Sequence, residues 1–318
     1  MPDLLIIGRI TDKMERAAKE HFTCTPRASV DLASEGARFD YVLTNGGAGL
    51  SRQDMDALPN VQLISSYGVG YDAIDAQEAA RRGIIVTHTP DVLNAEVATT
   101  ALLLMMACYR ELLRDDAWVR SGAWSSEGEA PLTRSVDHQR IGIVGMGRIG
   151  QEIARKLGPF EANIAYHARS EKDVPYRFEP DLVALARSVD CLIVITPGGA
   201  ATYHLIDRAV LEALGPGGTL INVARGSVVD ETALVSCLET GRLGWAGLDV
   251  FEAEPKVPEA LKAMKNVVLL PHVGSATHET RAAMGKLVID NLVSHARDGT
   301  VQTPVPESLP LLAGRALR

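Results

Sequence analysis

Three polar residues in the second half of the chain have the chemistry of a proton-transfer site. Arg225, Glu254 and His272 each follow a short apolar run that predicts a strand. A guanidinium binds a carboxylate through two parallel hydrogen bonds, and a histidine can give a proton to a carbonyl oxygen near neutral pH. A neighbouring carboxylate favours the imidazolium and fixes its ring orientation. Together these residues predict a cation, an acid and a base that act on a small carboxylic acid.

Each of the three also has a purely structural interpretation. His272 could be a hydrogen-bonded histidine at a strand end, and Arg225 could be a surface charge beside a turn glycine. Glu254 could cap the helix that follows Pro255. In an open parallel sheet, however, ligands bind beyond the carboxyl ends of the strands. The joint placement of all three at such ends favours the catalytic interpretation.

A glycine loop in the middle of the chain predicts a dinucleotide site. Gly145, Gly147 and Gly150 form a GxGxxG pattern that follows the apolar run 141–144 and opens the amphipathic segment 149–157. The first glycine permits the tight turn, the second lets pyrophosphate approach the backbone, and the third lets helix pack on strand. The start of the helix then offers free N–H groups to the phosphates.

The residues after the next strand favour NADPH over NADH, although NADH stays possible. An NAD-selective site usually carries an acid about 20 residues after the motif to hold the ribose hydroxyls. Here the strand 163–167 is followed by Arg169 and Ser170, with Lys172 close behind. Arg169 can stack on adenine and pair with a 2′-phosphate, and Ser170 can hydrogen-bond to it. The alternative is a solvated Arg169 paired with a neighbouring acid.

The elements that must position these residues alternate between short apolar runs and amphipathic segments, which indicates an α/β fold with parallel sheets. The first series of predicted strands is 4–7, 41–44, 63–65 and 84–87, and the second is 141–144, 163–167, 191–195, 219–223, 246–248 and 267–270. Helices are predicted at 51–58 and 75–81. Two longer helices, at about 94–121 and 277–296, bracket the second series. This arrangement predicts that the first domain is discontinuous.

Composition bounds the class of partner. The 318 residues are 46% hydrophobic and 23% charged, which is typical of a globular protein. The net charge of −8, from 32 basic and 40 acidic residues, argues against nucleic acid and anionic membranes as partners.

The cysteines and the apolar runs point to a cytoplasmic protein. Cys24, Cys108, Cys191 and Cys237 are too scattered for a disulfide framework or a zinc site, so we expect reduced thiols and no metal. The first residues lack the pattern of a secretory signal. The longest apolar stretch, 101–108, is too short to span a bilayer.

Several motifs in a fixed order resemble the D-2-hydroxyacid dehydrogenase family. The motifs are found at residues 68–72, 89–91, 145–150, 222–226, 247–251, 254–255 and 270–275. Within that family the sequence is most similar to the glyoxylate/hydroxypyruvate reductases and the hydroxyphenylpyruvate reductases. The resemblance implies two doubly wound parallel-sheet domains. A Rossmann cofactor domain at 96–283 would be inserted into a flavodoxin-like substrate domain at 1–95 and 284–318.

The resemblance also implies roles for individual residues. Arg225 would bind the substrate carboxylate and polarise the keto oxygen, His272 would protonate that oxygen, and Glu254 would support the imidazolium. The backbone N–H groups of Val69 and Gly70 would hold the other edge of the carboxylate. The residues implied in cofactor binding are Gly145, Gly147, Arg148, Ile149, Gly150, Arg169, Ser170, Thr196, Pro197, Val223, Ala224, Arg225, Asp249, His272, Gly274 and Ser275.

The expected activity is NADPH-preferring reduction of small 2-oxo acids, glyoxylate and hydroxypyruvate, to D-2-hydroxy acids. The small residues of the 45–49 loop leave room for larger acids, so a phenylpyruvate or hydroxyphenylpyruvate reductase is an alternative. A non-catalytic, nucleotide-sensing interaction protein of the same fold is another, because fold alone does not decide function. The resemblance favours a homodimer built on the cofactor domains. Trp118, Trp124 and the loop 125–134 are candidates for that contact.

Overall fold

The structure, a computed structural model, describes residues 1–313. The chain divides into two units, one formed by Met1–Leu93 together with the segment that starts at Ala276, the other by Asn94–Ser275. The sequence placed the second boundary at 283/284, which lies inside a helix in the structure. The whole helix belongs to the first unit because its buried residues pack there. The last residues of the predicted substrate domain, 314–318, lie outside the described residues.

The first unit contains a sheet of five parallel strands. They are β1 Asp3–Ile6, β2 Thr23–Pro26, β3 Tyr41–Asn45, β4 Leu63–Tyr67 and β5 Ile85–Thr87. The strand order is β2-β1-β3-β4-β5, and every pairing is parallel. This is the order of the flavodoxin-like fold. Its buried faces are rich in aliphatic residues such as Leu5, Val42 and Ile64.

Short helices connect these strands, and each begins after a residue that caps it. The helices are α1 Asp12–Lys19, α2 Leu32–Glu35, α3 Arg52–Asp56 and α4 Ala76–Arg81. The side chains of Thr11, Asp31, Ser51 and Asp75 accept a backbone N–H from the first turn of these helices in that order. Such caps satisfy donors that have no partner within the helix.

The second unit begins with α5 Asn94–Tyr109, α6 Leu112–Arg120 and α7 Ala123–Ser126. The prediction of a single helix at about 94–121 is therefore wrong, because two helices, α5 and α6, occupy that range. Glu111 has a φ of 44°, in the left-handed region, and this conformation ends α5. The Glu111 carboxylate accepts from Arg114 Nη1 at 2.5 Å, which secures the start of the new helix.

The sheet of the second unit has seven parallel strands. They are β6 Arg140–Val144, β7 Asn163–His167, β8 Arg177–Phe178, β9 Cys191–Val194, β10 Thr219–Asn222, β11 Trp245–Leu248 and β12 Val267–Leu269. The strand order is β12-β11-β10-β9-β6-β7-β8. The order reverses between β6 and β9, as in a Rossmann sheet with one additional strand. The predicted fold class is confirmed.

Five helices connect the strands of the second unit. They are α8 Arg148–Leu157, α9 Leu182–Ser188, α10 Arg208–Leu214, α11 Glu231–Glu239 and α12 Glu259–Ala263. Helix α5 packs against α8 and over β10 and β11. Its buried residues include Ala101, Leu104 and Met105. Both faces of the central strands are therefore covered.

The chain returns to the first unit through α13 His278–Asp298 and α14 Leu309–Ala313. Helix α13 packs on β4, with Met284, Val288 and Leu292 buried. The buried side chain of Asn291 fixes the segment that follows. Its amide nitrogen donates to Thr303 Oγ1 at 2.8 Å, and its oxygen accepts the N–H of Gln302 at 2.8 Å.

Two strands were missed from the sequence, β2 and β8, and both lie at sheet edges. Edge strands are short and only partly buried, so they lack the continuous apolar run of a central strand. Strand β2 reads Thr-Cys-Thr-Pro with no fully buried residue, and β8 has two residues. Across residues 1–313, every helix is too short or too polar to cross a bilayer.

Candidate active site

The second unit brings together the three polar residues that the sequence singled out, at the carboxyl ends of β10, β11 and β12. Arg225 stands three residues after β10, in a loop that Asn222 braces. The Asn222 amide nitrogen donates to the Arg225 carbonyl at 3.0 Å, and its oxygen accepts the Ala224 N–H at 3.0 Å. Arg225 Nη1 donates to the Ala224 carbonyl at 2.7 Å. The loop conformation is thus set by a buried side chain at the strand end.

Gly226 brings the loop after β10 against the loop after β11. A Cβ atom at this position would overlap the carbonyl group of Phe251. Only glycine allows the two backbones to approach so closely. Arg225 and the segment that carries Glu254 are therefore held side by side.

His272 and Glu254 form a direct hydrogen bond. Nδ1 of His272 lies 2.8 Å from Oε2 of Glu254, and the other carboxylate oxygen accepts the Phe251 N–H at 3.0 Å. Because a carboxylate only accepts, Nδ1 carries the hydrogen, and Nε2 is the atom that can exchange a proton with a ligand. The His272 side chain is 48% exposed, so solvent or a ligand can reach it.

The electrostatics keep Glu254 ionised. Burial acts to raise the pKa of Glu254, but hydrogen bonds from His272 and the Phe251 N–H oppose it, as do the charges of His272 and Arg225. The net result is a pKa below the usual value of a glutamate. An ionised Glu254 accepts the hydrogen bond from His272 Nδ1 and so fixes the orientation of the ring.

A buried carboxylate, Asp249, holds the loop that carries His272. Its Oδ1 accepts the Val273 N–H at 2.7 Å and its Oδ2 accepts the Gly274 N–H at 2.9 Å. Its carbonyl accepts the N–H of His272 at 2.8 Å. Burial raises the pKa of Asp249, although these N–H groups act in the opposite direction. His272 itself has a φ of 55°, a conformation that such a loop must enforce.

The glycine loop between β6 and α8 has the features expected of a dinucleotide site. Gly145 has a φ of 107°, and a Cβ there would lie 2.6 Å from the Ile195 carbonyl oxygen. A Cβ on Gly150 would overlap the Gly145 carbonyl oxygen, whereas a Cβ on Gly147 would meet nothing within 4 Å. Gly145 and Gly150 are therefore required by packing. Gly147 instead leaves open space before Arg148 and Ile149, the first residues of α8.

Polar groups follow β7 in the segment that the sequence predicts to contact the ribose of a dinucleotide. Arg169 and Ser170 are exposed, and Lys172 Nζ donates to Ser170 Oγ at 3.1 Å. The start of this segment is fixed, because the His167 carbonyl accepts the Gly145 N–H at 2.9 Å. This region is therefore accessible, and its two basic side chains alternate with the exposed acids Glu171 and Asp173.

Another feature that fits a bound dinucleotide is the hydroxyl of Thr196, which follows β9. Thr196 Oγ1 is buried and has no hydrogen-bond partner among the residues that the structure describes. A buried hydroxyl usually has a partner, so a bound cofactor is a suitable one. The remaining residues predicted to line the cofactor, Pro197, Val223, Ala224 and Ser275, lie in the same unit after β9, β10 and β12.

The two residues predicted to bind the substrate carboxylate, Val69 and Gly70, belong to the other unit. They lie in the loop after β4 and are partly exposed. The 45–49 loop is adjacent, since a Cβ on Gly46 would lie 2.9 Å from the Gly70 carbonyl oxygen. Sequence reasoning did not single out Asn222 as a brace for Arg225. Its position three residues before the arginine was a usable signal, because asparagine often bonds to nearby backbone.

Metal ligation has no support in the described part of the chain. Between residues 1 and 313, His, Cys, Asp and Glu side chains form no group that could hold a metal ion. All four cysteines are free, and Cys108, Cys191 and Cys237 are buried.

Comparison with known proteins gives a consistent result. Residues 102–274 match the family described as D-isomer specific 2-hydroxyacid dehydrogenase, NAD binding domain. The chain is 44% identical to a 2-ketogluconate reductase of Gluconobacter oxydans over 308 residues, which are 96% of this chain and 98% of that protein. It is 46% identical to glyoxylate/hydroxypyruvate reductase A HPR2 of Arabidopsis thaliana, over 89% of this chain and 91% of that protein.

A solved structure is also similar to this chain. It is an NADPH-dependent glyoxylate/hydroxypyruvate reductase from Sinorhizobium meliloti in complex with NADP and malonate. The TM-score is 0.92 at 44% identity, and the alignment covers 96% of this chain and 97% of that one.

The glycine loop generates a test that separates folding from binding. Gly147→Ala should leave the free energy of unfolding unchanged, because its Cβ meets open space, and should weaken NADPH binding by about tenfold or more through lost contact with pyrophosphate. Gly150→Ala should instead destabilise the protein by about 1–3 kcal/mol through overpacking. Urea unfolding and a fluorescence titration with NADPH measure the two quantities. Equal losses of stability in both variants would contradict the assignment.

Proposed function

The chain is an NAD(P)-dependent oxidoreductase that belongs to the D-isomer specific 2-hydroxyacid dehydrogenase family, and we propose that it reduces glyoxylate and hydroxypyruvate to D-2-hydroxy acids with NADPH as the preferred cofactor. The observation that carries the proposal is the 2.8 Å hydrogen bond between His272 and Glu254. It lies beside Arg225, at the carboxyl end of a sheet with a dinucleotide loop. This set of residues can bind a carboxylate and protonate the neighbouring carbonyl oxygen.

Each residue has a distinct role in the proposed reaction. Arg225 binds the substrate carboxylate and polarises the keto oxygen. When bound, the reduced nicotinamide supplies the hydride that C2 of the 2-oxo acid accepts. His272 gives its Nε2 proton to the keto oxygen, so that a neutral hydroxyl forms and the imidazole becomes neutral. Glu254 stabilises the imidazolium before that transfer and orients the ring through Nδ1.

Three exposed polar residues support the preference for NADPH. Arg169, Ser170 and Lys172 stand where an NAD-selective site would carry an acid. The hydrogen bond from Lys172 to Ser170 places two groups that bind phosphate next to each other. Binding of a 2′-phosphate there would use charge-assisted hydrogen bonds.

A second substrate class has specific support. The 2-ketogluconate reductase of Gluconobacter oxydans is 44% identical over nearly the whole chain. In the 45–49 loop, Gly46 packs closely against Gly70 and Gly49 against Ala73, whereas a Cβ on Gly47 would meet its nearest neighbour, Asn45 Oδ1, only at 3.7 Å. A sugar acid such as 2-ketogluconate, or an aromatic acid such as phenylpyruvate, is therefore an alternative to the smaller acids. The ranking of kcat/KM for glyoxylate, hydroxypyruvate, 2-ketogluconate and phenylpyruvate decides between these substrate classes.

Activity assays of two variants test the proposed roles. His272→Ala should lower kcat by about 10²–10⁴ while NADPH binds as before, because general acid catalysis is typically worth that factor. Arg225→Ala should raise KM for every 2-oxo acid as well as lower kcat. Loss of NADPH absorbance measures both. If none of these 2-oxo acids supports oxidation of NADPH by the unaltered protein, a nucleotide-sensing interaction protein becomes the better interpretation.

The cofactor preference is tested at one side chain. Arg169→Ala should raise KM for NADPH by about tenfold or more through loss of a bidentate pair with phosphate, and should leave KM for NADH nearly unchanged. Arg187→Ala, an exposed arginine on α9, is the matched control and should alter neither constant. A lower KM for NADH than for NADPH in the unaltered protein would refute the preference.

We further propose that the protein forms a homodimer through the 112–132 region. This region exposes several large apolar side chains, among them Leu113, Val119, Trp124 and Leu132, of which Leu132 is 96% exposed. Several large apolar side chains exposed within one short stretch of chain are typical of an interaction site. A second copy of the same chain is the occupant that the family favours. A cytoplasmic location stays a prediction.

Sedimentation tests the dimer. The unaltered protein should sediment as a dimer, and a double variant, Trp124→Ser with Leu132→Asp, should sediment as a monomer. At protein concentrations low enough for both to be monomeric, the two proteins should have the same free energy of unfolding. Leu309→Asp, at an exposed apolar residue on α14, is the control and should remain dimeric. A purely monomeric unaltered protein would remove the proposal.

A further inference from the structure

Two consecutive carbonyl groups in the loop after β4 are held from the same side. The Gly68 carbonyl accepts the backbone N–H of Thr89 at 2.9 Å. The next carbonyl, that of Val69, lies 2.9 Å from Nδ1 of His88. Both partners come from the segment that follows β5, and all of these residues belong to the first unit.

The geometry of the peptide bond determines the direction of the neighbouring N–H groups. In a trans peptide the C=O and the N–H of the next residue point in opposite directions. Since the carbonyls of Gly68 and Val69 face residues 88 and 89, the N–H groups of Val69 and Gly70 face away from them. Neither N–H donates to another residue of the described chain. Two successive N–H groups on one side form an anion-binding concavity.

The ring of His88 is itself fixed. A carbonyl oxygen has no proton, so Nδ1 must carry the hydrogen in this contact. The His88 N–H donates to the Thr303 carbonyl at 3.2 Å, and the His88 carbonyl accepts from Thr303 Oγ1 at 2.7 Å. The ring of Tyr71 packs edge-on against the imidazole at 5.4 Å, and the Tyr71 hydroxyl donates to Glu307 at 3.2 Å. The backbone of His88 is therefore fixed by Thr303, and its ring packs against Tyr71, which lies at the far end of the loop that His88 supports.

We propose that His88 is a positioning residue for the substrate carboxylate: its Nδ1–H holds the Val69–Gly70 peptide so that the Gly70 N–H is presented to the carboxylate. This inference rests on the proposed function, in which Val69 and Gly70 bind that group. His88 does not touch the substrate. His88 acts on substrate binding through one peptide unit, Val69–Gly70. Its effect is the same for every 2-oxo acid, because all of them carry the carboxylate.

Kinetics of three variants test the role. His88→Phe keeps the aromatic contact and loses the donor, so KM should rise about two- to tenfold for glyoxylate, hydroxypyruvate and phenylpyruvate alike, the loss expected for one neutral hydrogen bond. KM for NADPH should not change. His88→Asn offers an amide N–H near the position of Nδ1 and should restore most of the loss. His21→Phe, the same change at an exposed histidine of the first unit, is the control and should leave KM unchanged.

A binding measurement separates this inference from the proposed reaction. In NADPH-loaded protein labelled with [15N]glycine, oxamate should shift the Gly70 amide resonance. Its dissociation constant should rise two- to tenfold in His88→Phe and return in His88→Asn. If turnover is absent but these shifts behave as stated, the reductase function fails and the role of His88 stands. If turnover is normal and His88→Phe changes neither KM nor the oxamate constant, the inference is overturned. The same holds if oxamate leaves the Gly70 resonance of the unaltered protein in place.

Discussion

Backbone hydrogen bonds continue past the ends of β10, β11 and β12, and the geometry of the triad depends on them. The Asn222 carbonyl accepts the N–H of Asp249, and the Asp249 carbonyl accepts the N–H of His272. Three loops that would otherwise be independent are therefore joined by the same ladder that orders the sheet. Arg225 and Glu254 need no long side-chain network, because the strand ends already bring their backbones together.

Asp249 shows what this arrangement costs. A carboxylate that is 2% exposed loses most of its hydration, and this burial raises the pKa of Asp249. The N–H groups of Val273 and Gly274 replace part of that hydration. The burial of Asp249 is unfavourable, but its hydrogen bonds hold the loop in which His272 has a left-handed conformation that a histidine rarely adopts.

Residue types and strand ends allowed much of the site to be predicted. The residues proposed to be catalytic and the glycine loop have strong local signals, and a parallel sheet brings strand ends together whatever the lengths of the connections. The break at Glu111 depends on the left-handed conformation of one residue, which no periodicity marks. The edge strands β2 and β8 depend on pairing with β1 and β7 and lack an apolar run of their own. His88 was missed for a related reason. Its bond to Val69 spans 19 residues, and no periodicity records it.

The arrangement of the Gly68 and Val69 peptides affects which substitutions this loop can tolerate. A donor that belongs to the main chain survives almost every substitution at its own position, and only proline removes it. Side chains at 69 are therefore free to vary without loss of the amide groups themselves. Their orientation, by contrast, is encoded some twenty residues away, at 88. The proposed anion-binding loop would thus depend on two positions: residue 69, where almost any side chain keeps the N–H, and residue 88, where a single nucleotide change can remove the imidazole.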